Sequence, residues 1–445
     1  MSQLHKYSTI PYQSGYLSKR LGQIVKPPIQ IKRNHLRIAL VISICYLFAL
    51  LPVNIQAQAL QSYQQQALAQ NPSLQAKYKE FEAAMTKVNQ VNSLPDPTIS
   101  IGYFISPVET RLGPQRARLS LTQMFPWFGT LKAQGDATAL QAEATYEQFL
   151  NAQYRIKFEV AKAYFPLVEL HRLIAIQKKN LRVLYDWKQL VITQYENGKI
   201  SLADVLRLGV FIQEMETELD LMQGREKPLT VGFNRLLNRE DTAAIEVDQV
   251  LAPTLTTLPQ EVNWSNHPMV REYGKRIDSR EKQALAIQKQ SLPKIGAGID
   301  YVMISERTDM SVPDSGKDAL MPMVSMSIPI FRKKYTSAIK ETQLQIEGYQ
   351  QAIMATQNDL TSQYEQLIYE AQRENELIHL YGIQTIETEK IQQLMLTAFS
   401  NSGQDLDELL RIQMQLLTYQ MKQVKAETRL HVINENINYL LAGSL

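Results

Sequence analysis

The chain has one cysteine, Cys45, and six histidines among its 445 residues. A single cysteine forms no intrachain disulfide and no cysteine zinc site, and the scattered histidines form no metal-binding pattern. The sequence also lacks a glycine-rich phosphate loop, a nucleophilic serine elbow and a His-Glu-x-x-His motif. We therefore predict no catalytic residue, no cofactor, no bound metal and no enzymatic activity.

The chain has no large excess of charge of one sign, since 47 Lys plus Arg are balanced by 44 Asp plus Glu. This balance excludes a polybasic protein that binds nucleic acid, and no nucleic acid is expected as a partner. A hydrophobic content of 44% with 20% charged residues excludes a wholly disordered chain.

Acidic residues are missing from residues 1–59, which carry seven basic ones and leave a net charge of −4 on the rest. An apolar run follows at 36–55 and ends before Ala57-Gln58-Ala59, a small-x-small pattern typical of signal-peptidase sites. We predict a cleaved export signal over 1–59. The alternative is a membrane anchor, because the run approaches the ~20 residues that span a bilayer. Pro52 and the cleavage pattern favour the signal.

The remaining sequence repeats itself at a separation of about 200 residues. The separation drifts steadily along the chain, as small insertions in an old tandem duplication would cause. We predict two repeats, 60–250 and 251–445. The matched segments are 71–74 with 267–270, 93–95 with 291–293, 126–128 with 329–331, 204–207 with 408–411, and 233–237 with 437–441.

Each repeat contains the same predicted series of elements, and the fold is mainly α with a small β part. The helices are expected at 61–92, 131–196 and from the next turn to about 223, then at 268–290, 333–400 and 404–441. Turns are expected near 198 and 403. Apolar residues at heptad-like spacing run along both long helices, as in a coiled coil. A helix of this length is a rod of roughly 100 Å.

Two β-hairpins, at 98–126 and 295–330, alternate apolar residues with small or polar ones. This pattern is typical of outer-membrane barrel strands, although a half-buried soluble hairpin has the same period. Four strands do not close a barrel, and open edges do not face lipid. A lipid-facing interpretation therefore requires an oligomer, and three chains would supply twelve strands. Five methionines of the second hairpin, which could bind Cu(I), are better explained as packing: Met303, Met310, Met321, Met323 and Met326.

The export signal, the duplicated unit and the lack of catalytic motifs together make the chain resemble the TolC-like outer-membrane efflux proteins over about 60–441. The most specific segments are 119–129 (LSLTQMFPWFG) and 195–206 (YENGKISLADVL). The first looks most like the heavy-metal efflux branch. The second turn, 399–409, departs from the pattern because its glycine lies one place later.

This resemblance implies a homotrimer with a twelve-strand β-barrel in outer-membrane lipid and an α-helical barrel that crosses the periplasm. It also implies a passive channel for efflux or type I secretion that docks to a periplasmic adaptor and an inner-membrane pump. The alternative is a periplasmic coiled-coil adaptor or structural protein without a channel.

The two turns are the predicted periplasmic tips, since each rod reverses there far from the strands. The residues expected to meet the adaptor are Gly198, Lys199, Ser201, Asp204, Ser402 and Gly403. Ser201 and Asp405 are placed to cap the helices that follow. Asp405 or Asp407 could form a carboxylate ring that gates the tunnel, or these acids could only complement a helix dipole.

Overall fold

A computed structural model describes residues 58–247, 259, 261–402 and 405–442. The chain divides into two units, Met1–Ile55 and Gln56–Leu445, and every described residue belongs to the second. Except for its last two residues, the predicted signal lies outside the described residues, as does Gly403 of the predicted second tip.

The first half begins with α1 (Gln58–Gln70) and α2 (Pro72–Val91), where a single helix was predicted. The break has a local cause, since the Asn71 side chain accepts the Leu74 N–H and Pro72 occupies the first helical position. Strands β1 (Thr98–Thr110) and β2 (Gly113–Phe125) follow as a hairpin.

The long helix α3 (Thr130–Glu196) has 67 residues, so it extends about 100 Å. After the first turn come α4 (Leu202–Gly224) and α5 (Glu226–Leu236). The prediction ended this helical stretch near 223 and missed α5.

The second half contains a short 3-10 helix (Trp264–Asn266), α6 (Pro268–Gln290), β3 (Lys294–Ile304) and β4 (Ala319–Ser327). It continues with α7 (Lys333–Ser402), of 70 residues, and α8 (Leu406–Leu440). The α6 bounds agree with the prediction, and those of α7 and α8 differ from it by at most two residues. None of the described helices is both long and apolar enough to cross a membrane.

The four strands form one antiparallel sheet in the order β1-β2-β3-β4. Consecutive helices pack side by side, and the contacts change along the rods. Near the sheet, α3 lies between α2 and α6, whereas towards the turns α3 contacts α4 and α8, and α8 contacts α7. A hydrophobic cluster around Leu184, Trp187, Leu208 and Leu409 joins α3, α4 and α8 near the turns.

Candidate functional site: the sheet faces and the helical tips

The sheet separates its side chains into an apolar and a polar face. Ile101 pairs with Leu119, Leu119 with Tyr301, and Tyr301 with Leu320, so these four side chains form one row on the same face. Ile101 is 79% exposed and Leu320 is 68% exposed in the protomer. An apolar face this exposed requires a covering environment, which lipid would supply.

The opposite face carries small and polar residues. The row through Ser100, Ser120 and Asp300 lies there, next to a glycine at 298 whose position leaves no room for a side chain. Asp300 is fully buried and forms an ion pair with Arg118. This face is suited to an aqueous space, where it would contact water and charged solutes.

The five methionines of the second hairpin do not form one cluster. Met303 and Met326 lie on the apolar face, because they pair with Ala117 and Ile295. Met321 and Met323 lie on the polar face. Within the described residues, no group of three or more His, Cys, Asp or Glu side chains is placed to hold a metal ion.

The backbone geometry at Gly198 and Lys199 produces the chain reversal at the first tip. Gly198 has a φ of +69°, and its N–H donates to the Tyr195 carbonyl at 2.8 Å. The Lys199 N–H donates to the Gln194 carbonyl at 3.0 Å, so the free carbonyls at the end of α3 are satisfied. A left-handed residue followed by a new helix produces the reversal, which is why glycine occurs at this position.

The start of α4 has a complete capping box. The Ser201 side chain accepts the Asp204 N–H, and the Asp204 carboxylate accepts the Ser201 N–H at 3.0 Å. Hydrogen bonding from the Ser201 hydroxyl lowers the pKa of Asp204, and the nearby Arg207 charge acts in the same direction. Ser201 therefore caps α4 as predicted.

The second tip is built differently. Asp405 occupies the N-cap position of α8, but its φ is +67° and its side chain caps nothing. Asp405 thus lies at the N-cap as predicted, but its side chain makes no capping hydrogen bond, because a capping residue normally has an extended backbone and Asp405 is left-handed. The Ser402 hydroxyl donates to the Ala398 carbonyl at 3.0 Å and so stays within α7.

The two tips are connected to each other. Gln194 donates to the Ser400 carbonyl at 2.7 Å and Lys199 to the Asn401 carbonyl at 3.2 Å. Arg207 binds Asp407 at 2.6 Å and Asp204 at 3.1 Å, and therefore connects the start of α4 to the start of α8.

Arg207 was missed in the sequence. It was visible only as a repeat match, opposite Arg411, which pairs locally with Glu408 at 2.7 Å. The structure thus pairs Asp407 and Glu408 with arginines. The Asp405 side chain has no hydrogen bond or ion pair with another described residue, although its backbone carbonyl accepts the Leu409 N–H at 3.1 Å.

The comparisons with known proteins agree with this architecture. Residues 63–208 match the family model described as Outer membrane efflux protein. No match was found among curated protein sequences.

Several solved structures have the same fold. The outer membrane protein VceC from Vibrio cholerae has 16% identity and a TM-score of 0.69 over 86% of this chain and 96% of its own. The open-state MtrE outer membrane channel of Neisseria gonorrhoeae has 15% identity and a TM-score of 0.68 over 87% and 89%. CusC has 16% identity and a TM-score of 0.70 over 86% and 92%.

The predicted fold class and the resemblance to outer-membrane efflux proteins are confirmed. Residues 63–208 match the outer membrane efflux protein model, and the described chain has the fold of solved outer-membrane channels.

Proposed function

We propose that the chain is a subunit of an outer-membrane channel that conducts substrates passively and extends into the periplasm. The observation that carries this proposal is the four-stranded sheet, with an exposed apolar face on one side and a small, polar face on the other. Its strands have the two-residue alternation of lipid-exposed barrels.

The sheet supports assembly into a homotrimer. In the described chain, β1 and β4 each pair on one side only, so both edges of the sheet are open. Open edges are unstable in lipid, because unpaired backbone groups find no water there. Pairing β1 of one copy with β4 of the next would remove every edge, and three copies would give a closed barrel of twelve strands.

The helices carry a second set of unpaired surfaces. On α4, Leu206, Val210 and Leu221 are 62–67% exposed and lie opposite the buried Leu208 and Ile212. On α7, eight apolar residues that are 45–72% exposed follow one side of the helix, opposite its buried side. They are Leu344, Met354, Tyr369, Leu380, Ile383, Ile386, Ile391 and Leu394.

The exposed apolar residues form one stripe on α4 and another on α7. The two stripes lie on opposite borders of the protomer, because the helices near the turns follow the order α4-α3-α8-α7. Contact between α4 of one copy and α7 of the next would bury both stripes. This head-to-tail contact closes into a ring, as does the strand pairing. The helices would then form an α-barrel below the β-barrel.

The tips are proposed to meet a periplasmic adaptor that works with an inner-membrane pump. The docking residues are those predicted from sequence: Gly198, Lys199, Ser201, Asp204, Ser402 and Gly403. The repeats 60–250 and 251–445 would each supply one tip. A gate ring is proposed at Asp405 or Asp407, and the pairing of Asp407 with Arg207 favours Asp405.

Fractionation of the cell envelope tests this function against a periplasmic coiled-coil adaptor or structural protein. The channel predicts an outer-membrane protein that migrates as an SDS-resistant oligomer and dissociates on heating. Recovery of a water-soluble monomer from the periplasm would favour the alternative.

A further inference from the structure

A cavity of about 520 Å³ lies between α2, α3 and α6, close to the ends that lead into the sheet. Its charged lining is entirely cationic and consists of Lys87, Arg276 and Arg280. Side-chain amides add further donors, among them Gln134 and Gln141. No carboxylate lines the cavity, although the protein as a whole has nearly balanced charge.

The arginines have unused hydrogen-bonding capacity. The Nε atoms of Arg276 and Arg280 are both buried and have no acceptor among the described residues. Arg276 donates from another nitrogen to Glu272 at 2.7 Å, and Arg280 donates to the Gln283 amide oxygen. Lys87 has no hydrogen bond or ion pair with another described residue. The charged side chains that line the cavity are hydrogen-bond donors only, so an anionic acceptor placed there would be stabilised by them.

Tyrosine side chains contact both arginines and help to position them. The Arg276 guanidinium lies over the rings of Tyr273 and Tyr349, 6.0 and 5.8 Å from their centroids. Burial acts to raise the pKa of Tyr349, but hydrogen bonds from Arg280 and Arg276 and their charges outweigh it and lower the pKa. The two arginines that line the cavity therefore also stabilise the deprotonated form of Tyr349.

We propose that this cavity binds a phosphate-bearing anion. Guanidinium groups match phosphate oxygens in geometry and form charge-assisted hydrogen bonds with them, and a lysine adds a mobile positive charge. Among the described residues, Arg276 is the only one of the three cations that pairs with a carboxylate, that of Glu272, so positive charge remains for a phosphate monoester or diester. The volume lies within the range of ordinary small-molecule sites.

The position of the cavity suggests two sources for the phosphate group. Gln290, the last residue of α6, lines the cavity, and β3 begins at Lys294. If the sheet lies in the outer membrane, the cavity lies near the membrane border, where phospholipid headgroups are found. The lipid source thus rests on the proposed function, whereas a free phosphate compound would need only the cavity.

Two probes applied to the purified full-length protein in detergent separate these sources. Inorganic pyrophosphate, titrated calorimetrically, represents a free phosphate compound. Phosphatidylglycerol, compared with zwitterionic phosphatidylcholine by native mass spectrometry, represents the headgroup. Binding of pyrophosphate identifies a site open to soluble phosphates, and retention of phosphatidylglycerol alone identifies a lipid site.

The test variant is Lys87→Gln with Arg280→Gln, which removes two charges from the lining and leaves Arg276 and its tyrosines in place. The control is Lys132→Gln with Lys282→Gln, which removes two exposed charges from α3 and α6 outside the cavity. We expect the test variant to bind the accepted probe at least about tenfold more weakly, and the control to bind as the wild type does.

Three results would overturn the site: wild-type protein that binds neither probe, a test variant that binds as tightly as the wild type, or an equal loss in the control. Thermal unfolding of both variants shows whether a loss reflects misfolding, and a misfolded pair would be replaced by the single variants. Single-channel recording tests the proposed function separately. Phosphate binding by a protein that forms no channel would overturn the proposed function and leave this site standing.

Discussion

The two halves of the chain each contain one tip, and the two tips are built differently. The first tip has a glycine in the left-handed conformation, a capping box between Ser201 and Asp204, and a carboxylate with a lowered pKa. The second has a left-handed aspartate, Asp405, without a side-chain cap. The first tip is therefore stabilised by its own contacts, and the second depends more on contacts with its neighbour.

The contacts between the tips also indicate that the second tip depends on the first. Gln194, Lys199 and Arg207 all belong to the first repeat, and each donates to an acceptor in the second. The first tip thus supplies the donors and the second tip supplies the acceptors. We expect motion at the tips to occur mainly in the second one.

A bulky residue at Gly198 should have the largest effect. The Gly198→Val variant places a β-branched residue at a φ of +69°, which costs roughly 1–2 kcal/mol or more. A Cβ there would meet no neighbour within 4 Å, so the backbone alone is strained. We expect efflux to be lost while oligomers remain in the membrane, measured by substrate accumulation and by unheated SDS gels.

The matched control for that variant is Gly209→Val in α4, which also has open space around the Cβ position but no positive φ. It should keep efflux. Normal efflux in the Gly198 variant would remove the first tip from the docking assignment.

The stability of the fold around the start of α6 should decrease at acidic pH. Burial lowers the pKa of His267, the N-cap of α6, to about 4. Because the folded pKa lies below the unfolded value near 6.5, the neutral ring stabilises the fold above pH 6.5, and this contribution is lost as pH falls towards 4. The loss is on the order of 2 kcal/mol between pH 6.5 and 5.

Asn71 holds the corresponding position in the first repeat and caps α2 without titrating. The His267→Asn variant should therefore have a melting temperature that depends less on pH in this range. Melting curves at pH 7.5 and 5 measure the effect for both proteins. An unchanged difference between the two pH values would show that His267 does not cause the acid response.

Exchanging the charges between the tips should have a smaller effect. The Arg207→Asp variant removes the link to Asp407 and should favour a more open tip, seen as larger single-channel conductance in planar bilayers. The ion pair is half exposed, so about 1 kcal/mol or less is at stake. Adding Asp407→Arg should restore part of the wild-type conductance. If the double variant is no closer to wild type than the single one, the link does not hold the tips.

The gate acids should give the smallest change. The variant Asp405→Asn with Asp407→Asn tests whether these carboxylates form a ring or only complement the α8 dipole. A ring predicts weaker block by trivalent cations, which is the deciding readout because loss of the Asp407 link to Arg207 would change conductance in either case. Plain dipole stabilisation predicts a slightly less stable α8 and unchanged block, and that outcome would retire the gate.

Much of the fold could be predicted from local sequence, because hydrophobic period and proline positions act over short distances. The alternation at 98–126 and 295–330 predicted both hairpins, and the long helices end where expected. The break at Asn71 was missed, although Asn-Pro is itself a helix-start signal.

The candidate site was less predictable, since its main contacts join distant parts of the chain. Arg207 and Asp407 are 200 positions apart, and neither stands out in its own helix. The cationic cavity combines residues from three helices in the same way. The left-handed backbone of Asp405 could not be predicted from the sequence either, because an aspartate before a helix usually caps it from an extended conformation.

Native mass spectrometry of the particle extracted from the outer membrane tests the central claim most directly. Pairing of β1 with β4 between copies predicts a single species with three times the mass of the mature chain. That species should dissociate to monomers only on denaturation. A stable monomer, or any assembly whose copies do not number three, would contradict a twelve-strand barrel built from this sheet.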